Sequence, residues 1–147
     1  MKEGDKTVPL LFVMRKTRFV TFPRSGHHWL VSMLQERMGD EFVYSEYHSN
    51  GKTLENSPEV TAQKTHDFDL SIAPTYEYCH IIQCRMIDDC IKSWEKLDPD
   101  WPDKRYFYGQ FVSKWIVSPV PNRLIVYYHD LVEAPELWVD KVISFIK

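Results

Sequence analysis

Glycine is scarce in this chain, cysteine is scarcer, and no apolar stretch is long enough to cross a bilayer. With only 5 glycines, few turns can bring backbone amides close to a ligand, so a glycine directly after a strand carries weight. The 3 cysteines, Cys79, Cys84 and Cys90, are odd in number and crowd one short stretch. They give neither a disulfide framework nor the paired spacing of a zinc site. The reading is a reducing, cytoplasmic compartment with buried, inert thiols. The run Val8 to Met14 is far too short for a membrane span. Lys2 and Lys6 before it imitate a signal peptide, but Arg15, Lys16 and Arg18 follow without a small-residue cleavage pattern, so it reads as a strand or ordered arm. A formal net charge of −3 gives no general attraction to nucleic acid or anionic membranes, and any anion site must be local. Internal repeats and low-complexity tracts are absent.

The 147 residues, 44% hydrophobic and 27% charged, suit one globular domain spanning 1–147 with a single core. Arg18 to Phe22 is β-branched and aromatic and stops at Pro23 and Gly26, which predicts a buried strand. From Trp29 to Met38, Leu30, Met33 and Leu34 recur at helical spacing, and Gly39 supplies the stop. Glu41 to Tyr47 resembles a second strand, Ser49 to Pro58 a polar loop, and Tyr78 to Cys84 another strand leading into a helix from about Asp88 to Leu97. Pro99 and Pro102 interrupt the chain. A helix over about 104–117 places Phe107, Phe111 and Trp115 on one face, for the core. Arg123 to Tyr128 reads as the last strand and Pro135 to Ile146 as the last helix. Strands separated by helices pair in parallel, which predicts an α/β sandwich with a mainly parallel central sheet flanked by helices. Ligands of such sheets sit beyond the carboxyl ends of the strands.

Four groups of residues lie where that rule directs attention. Pro23-Arg24-Ser25-Gly26-His27-His28-Trp29 joins a strand to a helix. A glycine there lets amides turn inward, the helix start offers unpaired N–H groups, and Arg24 and Ser25 add a charge and a hydroxyl. The loop lacks the GxxxxGK[ST] pattern of the common nucleotide P-loop. Arg85 follows the strand ending at Cys84, and Ser93 lies near two helical turns on, so both can face one anion. Lys64-Thr65-His66 holds a histidine, whose ordinary pKa of about 6.5 suits a general base. The strand Leu124 to Tyr128 leads to His129-Asp130-Leu131, where Asp130 reads as a helix cap.

In their order along the chain, with Lys64-Thr65-His66 between the two phosphate motifs, the four groups resemble the PAPS-dependent sulfotransferases, and the likeness spans roughly Val20 to Ile146. Phe22 to Leu30 is similar to that family's 5′-phosphosulfate loop, Pro-(Lys/Arg)-Ser-Gly-Thr-Thr-Trp-Leu, with His27 and His28 where two threonines are typical. The resemblance implies a P-loop-like three-layer sandwich. It implies Arg24 on the phosphosulfate, Ser25, Gly26, His27 and His28 around the 5′-phosphate, and Trp29 and Tyr128 near adenine. Arg85 and Ser93 would take the 3′-phosphate, with Asp89 holding the loop. His66 would be the catalytic base, with Lys64 and Arg24 stabilising the departing phosphate. The donor would be PAPS, the product PAP, and no metal would be required. The Arg-Lys-Gly tripeptide that serves the 3′-phosphate in soluble members does not occur. Arg85 and Ser93 then suffice, or Arg15, Lys16 or Arg18 substitutes, or that phosphate is held weakly. The expected acceptor is a small molecule or saccharide, with no nucleic-acid or membrane partner, in an open site or one that a second subunit of a homo-oligomer completes. Two other classes fit the same residues: a PAP/PAPS-binding module without turnover, and a small P-loop phosphotransferase.

Overall fold

Phe19, Val20 and Thr21 are fully buried, and the sheet is built around them. In the computed structural model, which describes residues 14–46 and 51–147, β1 (Thr17–Thr21) is buried at every position. It pairs in parallel with β3 (Ala62–Thr65) on one side and β4 (Cys79–Cys84) on the other. β2 (Tyr44–Glu46) extends the sheet beyond β3, and β5 (Arg123–Tyr127) extends it beyond β4. The order is β2-β3-β1-β4-β5, all parallel. Helices cover both faces, giving the three-layer α/β sandwich that the alternation of elements predicts.

The two faces follow from the period of two along a strand. Phe19 and Ile81 pack with Leu30, Val31 and Leu34 of α1 (His27–Met38) and with Val139, Val142 and Ile146. Val20 and Ile82 point the other way. They meet Cys90, Ile91 and Trp94 of α2 (Ile87–Leu97) and Phe107 and Phe111 of α3 (Lys104–Val112). Each such side chain contributes about 1.5–3 kcal/mol by leaving water. α4 (Tyr128–Glu133) follows β5, and α5 (Pro135–Ile146) closes the first face, with proline at its start where the missing N–H is not needed.

Several elements differ from the sequence reading. β3 has no β-branched alternation; it is a strand because β1 and β2 pair with it from both sides. Among the described residues the second strand covers Tyr44–Glu46, with a 3₁₀ turn at Gly39–Glu41 before it. Tyr128 opens a helix instead of ending a strand, and Asp130 lies inside that helix without capping it. Residues 8–13 and the Asn50 of the expected turn lie outside the described residues.

α3 continues into a π turn, Ser113–Val117, and this turn holds the loop after β3. Asp67 is buried with a positive φ of 53°. Its carboxylate accepts from Lys114 Nζ at 2.7 Å, Trp115 Nε1 at 2.9 Å and the Ile72 amide at 2.9 Å. Asp67→Ala would leave the buried Trp115 indole N–H without its acceptor and take one partner from the part-buried Lys114, so a loss of about 1–3 kcal/mol is expected in urea denaturation. A loss within about 0.5 kcal/mol would show that the junction carries no structural weight.

Candidate functional site

Parallel pairing brings the carboxyl ends of β1, β3 and β4 to one edge. Thr21 lies opposite Gln83, and Val20 opposite Thr65, so the segments that follow emerge side by side. After β1 the chain turns sharply, with Arg24 at φ 68° and Gly26 at φ 83°. α1 starts at His27 with no side-chain cap and no acidic residue in its first turn. Leu30 N, bonded to Gly26 O at 3.1 Å, makes the first intrahelical bond; the amides of His27, His28 and Trp29 precede it and carry the positive end of the helix. Gly26 is required twice over. Its φ disfavours an L side chain, and a Cβ would lie 2.9 Å from Cδ1 of Tyr128.

These elements enclose a cavity of about 460 Å³ lined by the loop, Lys64, His66, Arg85 and Tyr128. Three permanent cations (Arg24, Lys64 and Arg85) line it, and among the described residues no carboxylate does. In a chain of net charge −3, that is a local concentration of the opposite sign. Arg85 lies 4.0 Å from the centre of the Tyr128 ring and donates from Nη1 to the Arg24 carbonyl at 3.3 Å. Arg24 donates from Nε to Ser93 Oγ at 2.9 Å. Two buried donors here, Ser25 Oγ and Arg85 Nε, have no partner among the described residues.

His66 is held by the end of β1. Its Nδ1 lies 2.6 Å from the Thr21 carbonyl. A carbonyl only accepts, so the proton is on Nδ1 and the Nε2 lone pair is left for another partner. Burial lowers its pKa from 6.5 to about 4, aided by Lys64 and partly offset by the Thr21 bond. His27 is different. Its ring turns into the core between Gln83 Oε1 at 2.9 Å and Tyr44 Oη at 2.7 Å. Burial takes it to about 3, against the Gln83 bond. Tyr44 also donates to Glu46 at 2.9 Å, so one phenol proton faces two acceptors. The chain is satisfied when Gln83 presents its amide nitrogen, otherwise unpartnered, to His27.

The structure therefore gathers Arg24, Ser25, Gly26, His28, Trp29, Lys64, His66, Arg85 and Tyr128 at one cavity, with Ser93 beside it through Arg24. Several of these side chains are already engaged. The His27 ring is hydrogen-bonded in the core. The Arg24 side chain stands with Ser93 and not with Lys64. The Asp89 side chain makes no hydrogen bond or ion pair among the described residues, and Asp88 pairs with Arg105 at the surface. Arg15, Lys16 and Arg18 lie at the opposite end of β1. Arg15 caps α5 through the Phe145 carbonyl, Lys16 meets the carbonyls of Leu54, Ser57, Pro58 and Val60, and Arg18 pairs with Glu55. None of the three lines the cavity. The cysteines are buried and unpaired, with burial pushing Cys90 up to about 12.

Sequence reasoning passed over Thr21, Gln83 and Glu46. Each had a signal: Gln83 is an amide in an apolar strand, and Thr21 and Glu46 end strands. Glu46 joins the site through Lys64 Nζ at 3.8 Å and His28 Nδ1 at 3.9 Å. No protein-family model and no curated protein matches the chain. Among the described residues no helix is long and apolar enough to cross a membrane.

The two histidines fix the direction of acid sensitivity. Unfolded they take protons near 6.5, and folded they resist to about 4 and about 3. Below 6.5 the unfolded chain thus binds more protons, and stability falls as pH falls. His80, also lowered by burial, adds in the same sense. Each fully neutral histidine should add a slope of about 1.4 kcal/mol per pH unit. Urea midpoints constant from pH 7 to about 4 would contradict this.

Proposed function

We propose that this chain is a PAPS-dependent sulfotransferase, moving a sulfuryl group to a hydroxyl or amine of a small-molecule or sugar acceptor. The observation that carries the reading is a carboxylate-free cavity with three cations at an uncapped helix start, beside a neutral histidine whose tautomer is set. The unpartnered donors at Ser25 and Arg85 suit a ligand rich in acceptor oxygens. The order of the four motifs supports the same family. Bound PAPS supplies the sulfuryl group as its bond to the 5′-phosphate breaks.

The chain's own residues divide the rest of the work. The amides from Gly26 to Trp29 bind the 5′-phosphate, and the Trp29 and Tyr128 rings flank the base. Arg24, Ser93 and Arg85 form the 3′-phosphate clamp, which moves Arg24 from the sulfuryl end to the ribose end. Lys64 neutralises charge on the bridging oxygen. His66 Nε2 accepts the acceptor's proton as the new S–O bond forms. A polyanion beside His66 favours its charged form and lifts its pKa from the low value of the empty fold. The phosphotransferase reading lacks a magnesium ligand, since no described carboxylate lines the cavity.

PAP is expected to raise the melting temperature more than ADP or ATP, with or without magnesium. A magnesium-dependent preference for ATP would instead select the phosphotransferase. Arg24→Ala and Ser93→Ala should weaken PAP while leaving AMP, which lacks the 3′-phosphate, nearly unaffected; equal losses for both would return Arg24 to the 5′ end. His66→Ala should cut turnover by roughly 10²–10⁴-fold with PAP affinity kept. Undiminished turnover would remove His66 from the mechanism, and PAP binding with no transfer to any acceptor would select the binding module.

A further inference from the structure

A second cavity, of about 910 Å³, lies on the other side of His66. It is bounded by the loop after β3 and by Thr53 and Glu55, and it shares Lys64, His66 and Phe68 with the first. Its volume is within the range of small-molecule sites. We infer that this cavity receives the acceptor, and that the acceptor is a hydroxylated ring carrying a positive charge, an amino sugar by chemical class. The inference rests on the sulfotransferase reading, because the shared wall is where an acceptor oxygen could meet both His66 and the sulfuryl group.

The charge of the two cavities differs in sign. The first has cations and no carboxylate among the described residues; the second is lined by Glu46, Glu55, Asp67, Asp69 and Glu77 against Arg18 and Lys64. Internal pairs account for three of the five carboxylates. Glu55 meets Arg18, Glu46 lies near Lys64, and Asp67 is held by Lys114. Asp69 and Glu77 are exposed and have no ion pair among the described residues. Asp69 is fixed rather than free: Ser71 donates to it from the amide at 3.1 Å and from Oγ at 2.7 Å.

The remaining wall specifies more than charge. Thr53, Thr65, Ser71 and Thr75 line it together with Phe68 and Tyr78; the three threonine hydroxyls accept from backbone amides and keep their protons to donate, Arg18 lies over the Tyr78 ring, and Phe68 packs on His66, Trp94, Trp101 and Phe107. Rings that pack on a sugar face, with hydroxyls around them, suit a polyhydroxylated ring better than an extended apolar one. Two exposed carboxylates without an ion pair among the described residues favour an ammonium substituent and repel a carboxylated one. An anionic donor on one side of His66 and a cationic acceptor on the other also attract across the reacting centre.

Three glycosides of one ring shape separate the possibilities: methyl glucosaminide, methyl glucoside and methyl glucuronide, titrated by NMR without nucleotide where the amine is protonated. The glucosaminide is expected to bind roughly tenfold more tightly than the glucuronide, with the glucoside between them, and to shift the resonances of Phe68, Ser71 and Tyr78. The double substitution Asp69→Asn with Glu77→Gln, both at exposed positions, should erase the preference while leaving PAP affinity unchanged. Equal binding of the three, a preference for the glucuronide, or a preference that survives the double substitution overturns the inference. PAP binding is measured separately, so a failed donor assignment and a failed acceptor assignment give different results.

Discussion

The parallel register of β1 between β3 and β4 is the constraint on which the rest depends. It aligns Val20 with Thr65 and Thr21 with Gln83, so that three strands end together and three segments with chemistry leave from one edge. Pairing with β3 ends at Val20, one residue short of the β4 pairing. The Thr21 carbonyl on that side is therefore available to accept from His66 Nδ1. A slip of one residue would move Phe19 and Val20 to opposite faces and separate these partners. Buried aromatic side chains on both sides of β1 make such a slip expensive.

Charge is separated within a fold of modest net charge. Arg24, Lys64 and Arg85 are kept near one another by neutral partners, a serine hydroxyl, a backbone carbonyl and the Tyr128 ring, with Glu46 only loosely placed against Lys64. The two arginines are thus held by neutral partners and stay uncompensated, whereas Lys64 already faces Glu46. Gly26 belongs to the same arrangement, because the space of its missing side chain is where the Tyr128 ring sits, and that ring supports Arg85.

What was legible in the sequence was what short-range chemistry determines. Pro23 and Gly26 mark the end of β1, the apolar spacing in α1 and α5 marks their buried faces, a strand-end rule points to Arg85, and the likeness to a Lys-Thr-His segment points to His66. What was not legible depends on partners distant in the chain. β3 has a weak local preference and exists through pairing on both edges. Nothing near His27 shows that its ring meets Gln83 and Tyr44, and nothing near Arg24 shows that it meets Ser93. The left-handed backbone of Arg24 is a non-glycine conformation that local pattern does not reveal, yet it directs that side chain.

His66 shows how position and basicity oppose each other. The burial that fixes its ring against Thr21 also keeps it neutral to about 4, so alone it is a correctly oriented but weak base. On the proposed reading, the polyanionic donor changes that balance by stabilising the imidazolium. Lys64 works against the same proton until its charge is matched by the donor. On that same reading, proton acceptance at Nε2 becomes favourable once the nucleotide is in place. If the donor binds as proposed, the site has an order: the ring is placed by the fold, and its basicity is set by the ligand.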